Sequence, residues 1–169
     1  DILNLNNIRK TVYEEIDKIN GKAIIKIYGG EIFADFVTDE YYNELRNFLL
    51  DIKKYKKDVE FVFITNLVHT KVNRWIELIS ALENVNLSVS FDLNGRFTEV
   101  SFDIFSKNWL HYEKYIKDIM IVMSKSNILS FMNETHSAFE QKMIDFLIDK
   151  LKNQEICLNF TDYVSNGDE

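Results

Sequence analysis

Cysteine is nearly missing from this chain: Cys157 is the only one in 169 residues. An intrachain disulfide and a four-cysteine metal cluster are both excluded. A lone thiol inside the apolar run Ile156-Cys157-Leu158 reads as a buried, inert side chain and not as a nucleophile. Histidine is scarce too, and His69, His111 and His136 lie far apart, with no i,i+4 pairing and no cysteine nearby, so no zinc pattern is present. No apolar run approaches the ~20 residues that cross a bilayer. There is also no basic start followed by a small-residue cleavage site, so the expected compartment is the cytoplasm. Proline is absent altogether, where about 5% is usual; with abundant Lys, Asn and Ile this reads as a coding bias. Basic charge is outweighed, 20 Lys and Arg against 27 Asp and Glu. The resulting net charge of −7 argues against a nucleic-acid partner held by phosphate neutralisation. No Gly-x4-Gly-Lys-Ser/Thr, Gly-x-Ser-x-Gly or complete Gly-x-Gly-x-x-Gly stretch occurs, which removes the P-loop, nucleophile-elbow and dinucleotide readings.

What the chain does have is a composition 46% hydrophobic and 28% charged, that of a single globular α/β domain spanning 1–169. Ile8, Val12, Ile16 and Ile19 recur at helical spacing and predict a helix over 5–20, ended by Gly21. A short apolar strand follows at 22–28, then a helix over 38–55 with Thr38, Asp39 and Glu40 at its start. The alternation continues with strand 59–64, helix 71–82, strand 87–91, helix 101–116, strand 119–123, helix 136–151 and strand 155–160. Five strands apolar on both faces and separated by helices predict a parallel sheet with right-handed crossovers. Such a sheet is open and doubly wound or an arc of a barrel, and in either case ligands bind beyond the carboxyl ends of the strands.

Those ends are polar. The first is Gly29-Gly30-Glu31, the second Thr65-Asn66, the third Ser90-Phe91-Asp92 followed by Gly95-Arg96-Phe97, the fourth Ser124-Lys125-Ser126-Asn127 and the fifth Thr161-Asp162-Tyr163. Two glycines let a ligand approach the main chain, and the Glu31 carboxylate accepts from an ammonium group. Arg96 offers a planar fork to a carboxylate, with Ser90 and Asn66 as short hydrogen-bonding groups. The plainer alternatives are a Gly-Gly turn beside an acid and a solvated arginine after an Asn94-Gly95 turn. His69 follows the second strand and could line a pocket, but a capping or surface residue is the plainer reading, and Asp35, Asp39 and Glu40 read as acids decorating a helix start.

These blocks, in this order, resemble the radical S-adenosylmethionine (radical SAM) enzymes. Gly29-Gly30-Glu31-Ile32-Phe33 is similar to the family's Gly-Gly-Glu motif and Phe63-Ile64-Thr65-Asn66-Leu67 to its third-strand Thr-Asn. Ser90-Phe91-Asp92-Leu93-Asn94-Gly95-Arg96-Phe97 and Val122 to Ile128 resemble the fourth and fifth strand ends of a phage-type and gut-bacterial subgroup. The resemblance implies a partial (β/α) barrel of about five parallel strands alternating with helices, binding S-adenosylmethionine at a [4Fe–4S] cluster and cleaving it reductively to a 5′-deoxyadenosyl radical. It further implies that Gly29, Gly30 and Glu31 hold the methionine ammonium, that Ser90 and Arg96 hold the carboxylate or ribose, that Asn66 supports them, and that Asp92 orients its loop.

The Cys-x3-Cys-x2-Cys loop that holds the family's cluster has no counterpart here, and Ile32 stands where proline usually follows Gly-Gly-Glu. The expectation is a segment of a longer radical enzyme whose first strand and cluster loop lie upstream of Asp1. The alternative is a cluster-free, non-catalytic α/β module that binds a nucleotide or a partner. An open barrel arc would also expose strand edges through which two copies could pair as a homodimer.

Overall fold

The computed structural model describes residues 4–28, 30–116, 118–133, 135–153 and 157–161, with 153 and 157–161 described by their backbone. Three of the helices begin at clear side-chain caps supplied by the sequence. Asn4 Oδ1 accepts from the N–H groups of Asn6 and Asn7 at 3.1 and 3.3 Å and opens α1 (Leu5–Asp17). Thr38 Oγ1 accepts from Tyr41 N–H at 3.2 Å and opens α2 (Asp39–Tyr55), with Asp39 and Glu40 favourably placed in its first turn. α4 (Glu99–Tyr112) starts on a reciprocal pair: Thr98 Oγ1 accepts from Ser101 N–H at 3.2 Å, and Ser101 Oγ accepts from Thr98 N–H at 2.9 Å. Thr98→Ala should therefore cost about 1 kcal/mol, seen as a lowered urea midpoint at unchanged m.

The remaining helices are α3 (Val72–Leu82), α5 (Ser126–Phe131) and α6 (Ala138–Asn153). The strands are β1 (Ala23–Ile27), β2 (Val59–Thr65), β3 (Val85–Ser90), β4 (Ile119–Ser124) and β5 (Cys157–Thr161). They form one all-parallel sheet in the order β1-β2-β3-β4-β5. The fold is thus α/β, with strands alternating with helices. Six helices occur among the described residues where periodicity predicts five, because the single and a half turns of α5 are too short to show a stripe.

Strand order decides which face is covered. Sequence neighbours are spatial neighbours throughout, so right-handed crossovers carry every connecting helix to the same side. No reversal of order occurs, and hence none of the switch points of a doubly wound sheet. Burial follows: Val59, Phe61, Phe63 and Thr65 of β2 are buried, while Glu60, Val62 and Ile64 between them are half-buried. β4 repeats the pattern, with Ile119, Ile121 and Met123 buried and Met120, Val122 and Ser124 half-buried. The expectation of strands apolar on both faces is corrected here. Only one face lies under helices, and the other carries Glu60, Asn86, Ser88 and Ser90.

The core between the covered face and the helices is strongly aromatic. Phe33, Phe61, Phe63, Trp75, Phe91, Phe102, Phe105, Trp109 and Tyr112 are all fully buried. β1 and β5 stand at opposite edges of the open sheet. No helix among the described residues is long and apolar enough to cross a membrane.

Candidate ligand site at the strand ends

The main chain turns sharply after β1. Gly30 has φ +62°, a conformation that favours glycine; Gly29 lies outside the described residues. Glu31 follows, and its carboxylate is tied into the neighbouring strand end. Oε1 accepts from Thr65 Oγ1 at 2.6 Å and from Phe33 N–H at 3.2 Å, and Oε2 accepts from Asn66 N–H at 2.6 Å. A carboxylate has about four acceptor positions, so these three bonds leave about one for a ligand. Burial pushes the Glu31 pKa up, opposed by the bonds from Thr65, Asn66 and Phe33 and by the positive charge of Arg96.

The loop after β2 is shaped by its own side chains. Thr65 Oγ1 accepts from Leu67 N–H at 3.0 Å, and Asn66 Oδ1 from Val68 N–H at 2.7 Å. Between them Leu67 is fully buried at φ +57°, a strained setting for a bulky side chain. Asn108 on α4 holds this turn by donating from Nδ2 to Leu67 O at 2.7 Å and to His69 O at 2.8 Å. His69 then meets the Tyr112 hydroxyl through Nε2 at 2.8 Å.

A second polar knot joins β3 to β4. Asp92 Oδ1 accepts from Ser124 N–H and Ser124 Oγ, each at 3.0 Å, and from Asn127 Nδ2. Asn127 Oδ1 accepts in turn from Leu93 N–H at 2.7 Å. Gly95 at φ +71° turns the chain back, and Arg96 Nε donates to Asp92 Oδ2 at 3.1 Å. The guanidinium is thereby oriented through Nε, while its two terminal amino groups make no hydrogen bond to a described residue. Arg96 remains partly accessible, with 29% of its side chain exposed.

Glu31, Asn66 and Arg96 are brought together at one end of the sheet. Glu31 bonds Asn66 directly, and Arg96 acts on the Glu31 charge. Ser90 closes β3 beside Val122 and is half-buried on the side of the sheet without helices. Two expectations are corrected. His69 is not a surface residue: only 2% of it is exposed, and burial lowers its pKa to about 4. Asp35 does not serve the start of α2; it accepts from Thr70 N–H, Thr70 Oγ1 and Lys71 N–H at 2.8, 2.9 and 3.2 Å, ahead of α3. Desolvation opposes the Asp35 charge, but these bonds outweigh it and lower the pKa.

Ser124 and Asn127, from the polar end of the fourth strand, complete the scaffold together with Asn108 and Tyr112, which lie outside the strand ends that the sequence marks. The available signal for Asn108 was a polar residue within the buried stripe Phe102, Phe105, Trp109 and Tyr112 of α4. Among the described residues no group of three or more His, Cys, Asp and Glu side chains could hold a metal ion. No protein-family model, curated protein or solved structure matches this chain.

Proposed function

We propose that the polar strand ends bind the methionine headgroup of S-adenosylmethionine, and that the chain is the cofactor-binding portion of a radical SAM enzyme built on a partial (β/α) barrel. The observation that carries this reading is that Glu31, bonded to Thr65 and Asn66 at the end of β2, and Arg96, bonded to Asp92 beyond the end of β3, stand at the carboxyl ends of adjacent strands, an acidic and a basic group that a zwitterionic amino acid needs together. The terminal amino groups of Arg96, which bond no described residue, take the ligand carboxylate as a fork, with Asp92 fixing the guanidinium plane. The Gly29-Gly30 main chain and the remaining acceptor position of Glu31 take the ammonium, while Ser90 reaches the carboxylate or a ribose hydroxyl. Asn66 supports Glu31 through its N–H.

A [4Fe–4S] cluster needs several thiolates, and the single cysteine of this chain does not fit that demand. No step of radical chemistry is therefore assigned to these residues; reductive cleavage belongs to a longer parent chain carrying the cluster cysteines. The second reading is the cluster-free, non-catalytic module, favoured by one observation: most of the Glu31 acceptor capacity is spent on joining two strand ends.

Titration calorimetry with S-adenosylmethionine separates the two. Weak binding is expected, since no iron chelates the amine and carboxylate. Arg96→Lys keeps the charge but loses the fork and should weaken binding about tenfold or more, as charge-assisted bonds are worth roughly 1.5–3 kcal/mol. Glu31→Ala should abolish the binding heat. No heat from the wild-type chain, or equal heats from all three proteins, would favour the second reading.

A further inference from the structure

Both charged groups of the candidate site are tied to one helix. Arg96 stands two residues before Thr98, the cap of α4, and Phe97 between them packs on Phe102 and Phe105 of that helix with ring centroids at 5.7 and 5.0 Å. The same helix reaches the loop after β2 through Asn108, which is 5% exposed. Carbonyl oxygens only accept, so Leu67 O and His69 O together fix the Asn108 amide with its two Nδ2 protons toward the loop.

The segment held by that amide is strained. Leu67 is fully buried at φ +57°, a conformation that costs a bulky residue about as much as two internal hydrogen bonds return. Its N–H donates to Thr65 Oγ1, which in turn donates to Glu31 Oε1, and one residue earlier the Asn66 N–H donates to Glu31 Oε2. A return of Leu67 to negative φ swings the preceding peptide away from Thr65 and moves the Asn66 N–H with it. We propose that Asn108 is a positioning residue for the candidate site: through the Leu67 and His69 carbonyls it holds Thr65 and Asn66 against the Glu31 carboxylate, and so fixes that carboxylate relative to Arg96 at the head of α4. That this spacing serves a ligand's ammonium and carboxylate rests on the ligand reading above; the hold on Glu31 does not.

The test follows the Asn66 amide proton by NMR as pH is varied. In the wild-type chain its shift should move with the ionisation of Glu31, because the bond to Oε2 strengthens when the carboxylate is charged. Glu31→Gln should remove that excursion and so assign it. Asn108→Ala should lose most of it with an unchanged circular dichroism spectrum. Leu82→Ala, which empties a comparably buried position at the end of α3, should keep it. In calorimetry Asn108→Ala should bind S-adenosylmethionine about tenfold more weakly, the factor for losing roughly one hydrogen bond to a charged group. The wild-type Asn108 Nδ2 protons should also exchange slowly, a measurement that needs no variant to fold. Full amplitude at Asn66 in Asn108→Ala, an equal loss in Leu82→Ala, unprotected Nδ2 protons, or equal affinities of Asn108→Ala and a binding wild type would each overturn the proposal. No heat from the wild type sinks the ligand reading alone, and the Asn66 titration then decides the role of Asn108.

Discussion

Phe33→Ala is expected to lower the free energy of unfolding by about 3–5 kcal/mol, the range for deleting a fully buried aromatic ring. Phe33 is 0% exposed and sits where four elements meet. It stacks on Trp75 of α3 at 4.6 Å and on Tyr112 of α4 at 5.8 Å, tilts against Phe63 of β2 at 5.4 Å and meets His69 edge-on at 5.3 Å. Its own N–H donates to Glu31, so the ring anchors the loop that carries the candidate site. Equilibrium urea unfolding would read the loss as a lower midpoint at constant m. Phe33→Leu keeps more volume and should cost about 1.5 kcal/mol or less. Native-state hydrogen exchange should show the Ala variant losing protection first at Phe33 and Asn66, the two amides that Glu31 binds. A loss below about 1 kcal/mol would remove Phe33 as the joint between loop and core.

The alternation of strand and helix was legible because each helix carries an apolar stripe and each strand a short apolar run. Boundaries moved where local hydrogen bonds outweighed periodicity. The stripe Phe102 to Ile116 suggested a helix over 101–116, but the Thr98 and Ser101 pair starts α4 at Glu99, and the chain leaves it after Tyr112 with Tyr115 and Ile116 N–H groups bonded back to Tyr112 O. β3 begins at Val85, two residues before the apolar run, because its partner is already in register at Phe61. Periodicity alone leaves strand order open between a doubly wound sheet and a barrel arc. Alternation fixes parallel pairing and crossover hand, but the same helices and strands could be wound around one face or both. The sequential order is what leaves Glu60, Asn86 and Ser90 on a face with no helix over it.

At the candidate site the sequence marked places and missed partnerships. Gly30 and Gly95 stand where the backbone takes positive φ, and Glu31, Asn66 and Arg96 do share one end of the sheet. The Glu31 carboxylate, an acceptor for an ammonium in the sequence, is in the structure also a joint between two strand ends. Its partners Thr65 and Asn66 are 34 and 35 residues away, and His69 and Tyr112 are separated by 43. Contacts of that span are set by which strand lies beside which and by the height at which each ends, and a periodicity reading contains neither quantity. The same reason hides Asp35, whose acceptor role depends on the loop before α3 reaching back to the loop after β1.

His69 gives the chain an acid sensitivity whose direction follows from its surroundings. The imidazole is buried, its Nε2 faces the Tyr112 hydroxyl and its Nδ1 has no hydrogen-bond partner among the described residues. Burial disfavours the imidazolium and holds the folded pKa at about 4, against the attraction of Asp35 and with the repulsion of Arg74. In the unfolded chain histidine titrates near 6.5. Between those values the unfolded state binds a proton that the folded state does not, so stability is complete above about pH 6.5 and falls as pH drops toward 4. A gap of this size corresponds to roughly 2–3 kcal/mol between pH 7.5 and 4.5. Glu31 acts in the opposite sense: its raised pKa makes the folded state bind the extra proton in acid. Subtraction isolates the histidine: His69→Gln keeps an amide for Tyr112 but cannot titrate, so the difference between wild-type and variant unfolding free energies should shrink or change sign by that amount over the same interval. A difference that stays constant from pH 7.5 to 4.5 would mean that the imidazole is hydrated in the folded protein and that the Phe33, His69 and Tyr112 packing is looser than the geometry requires.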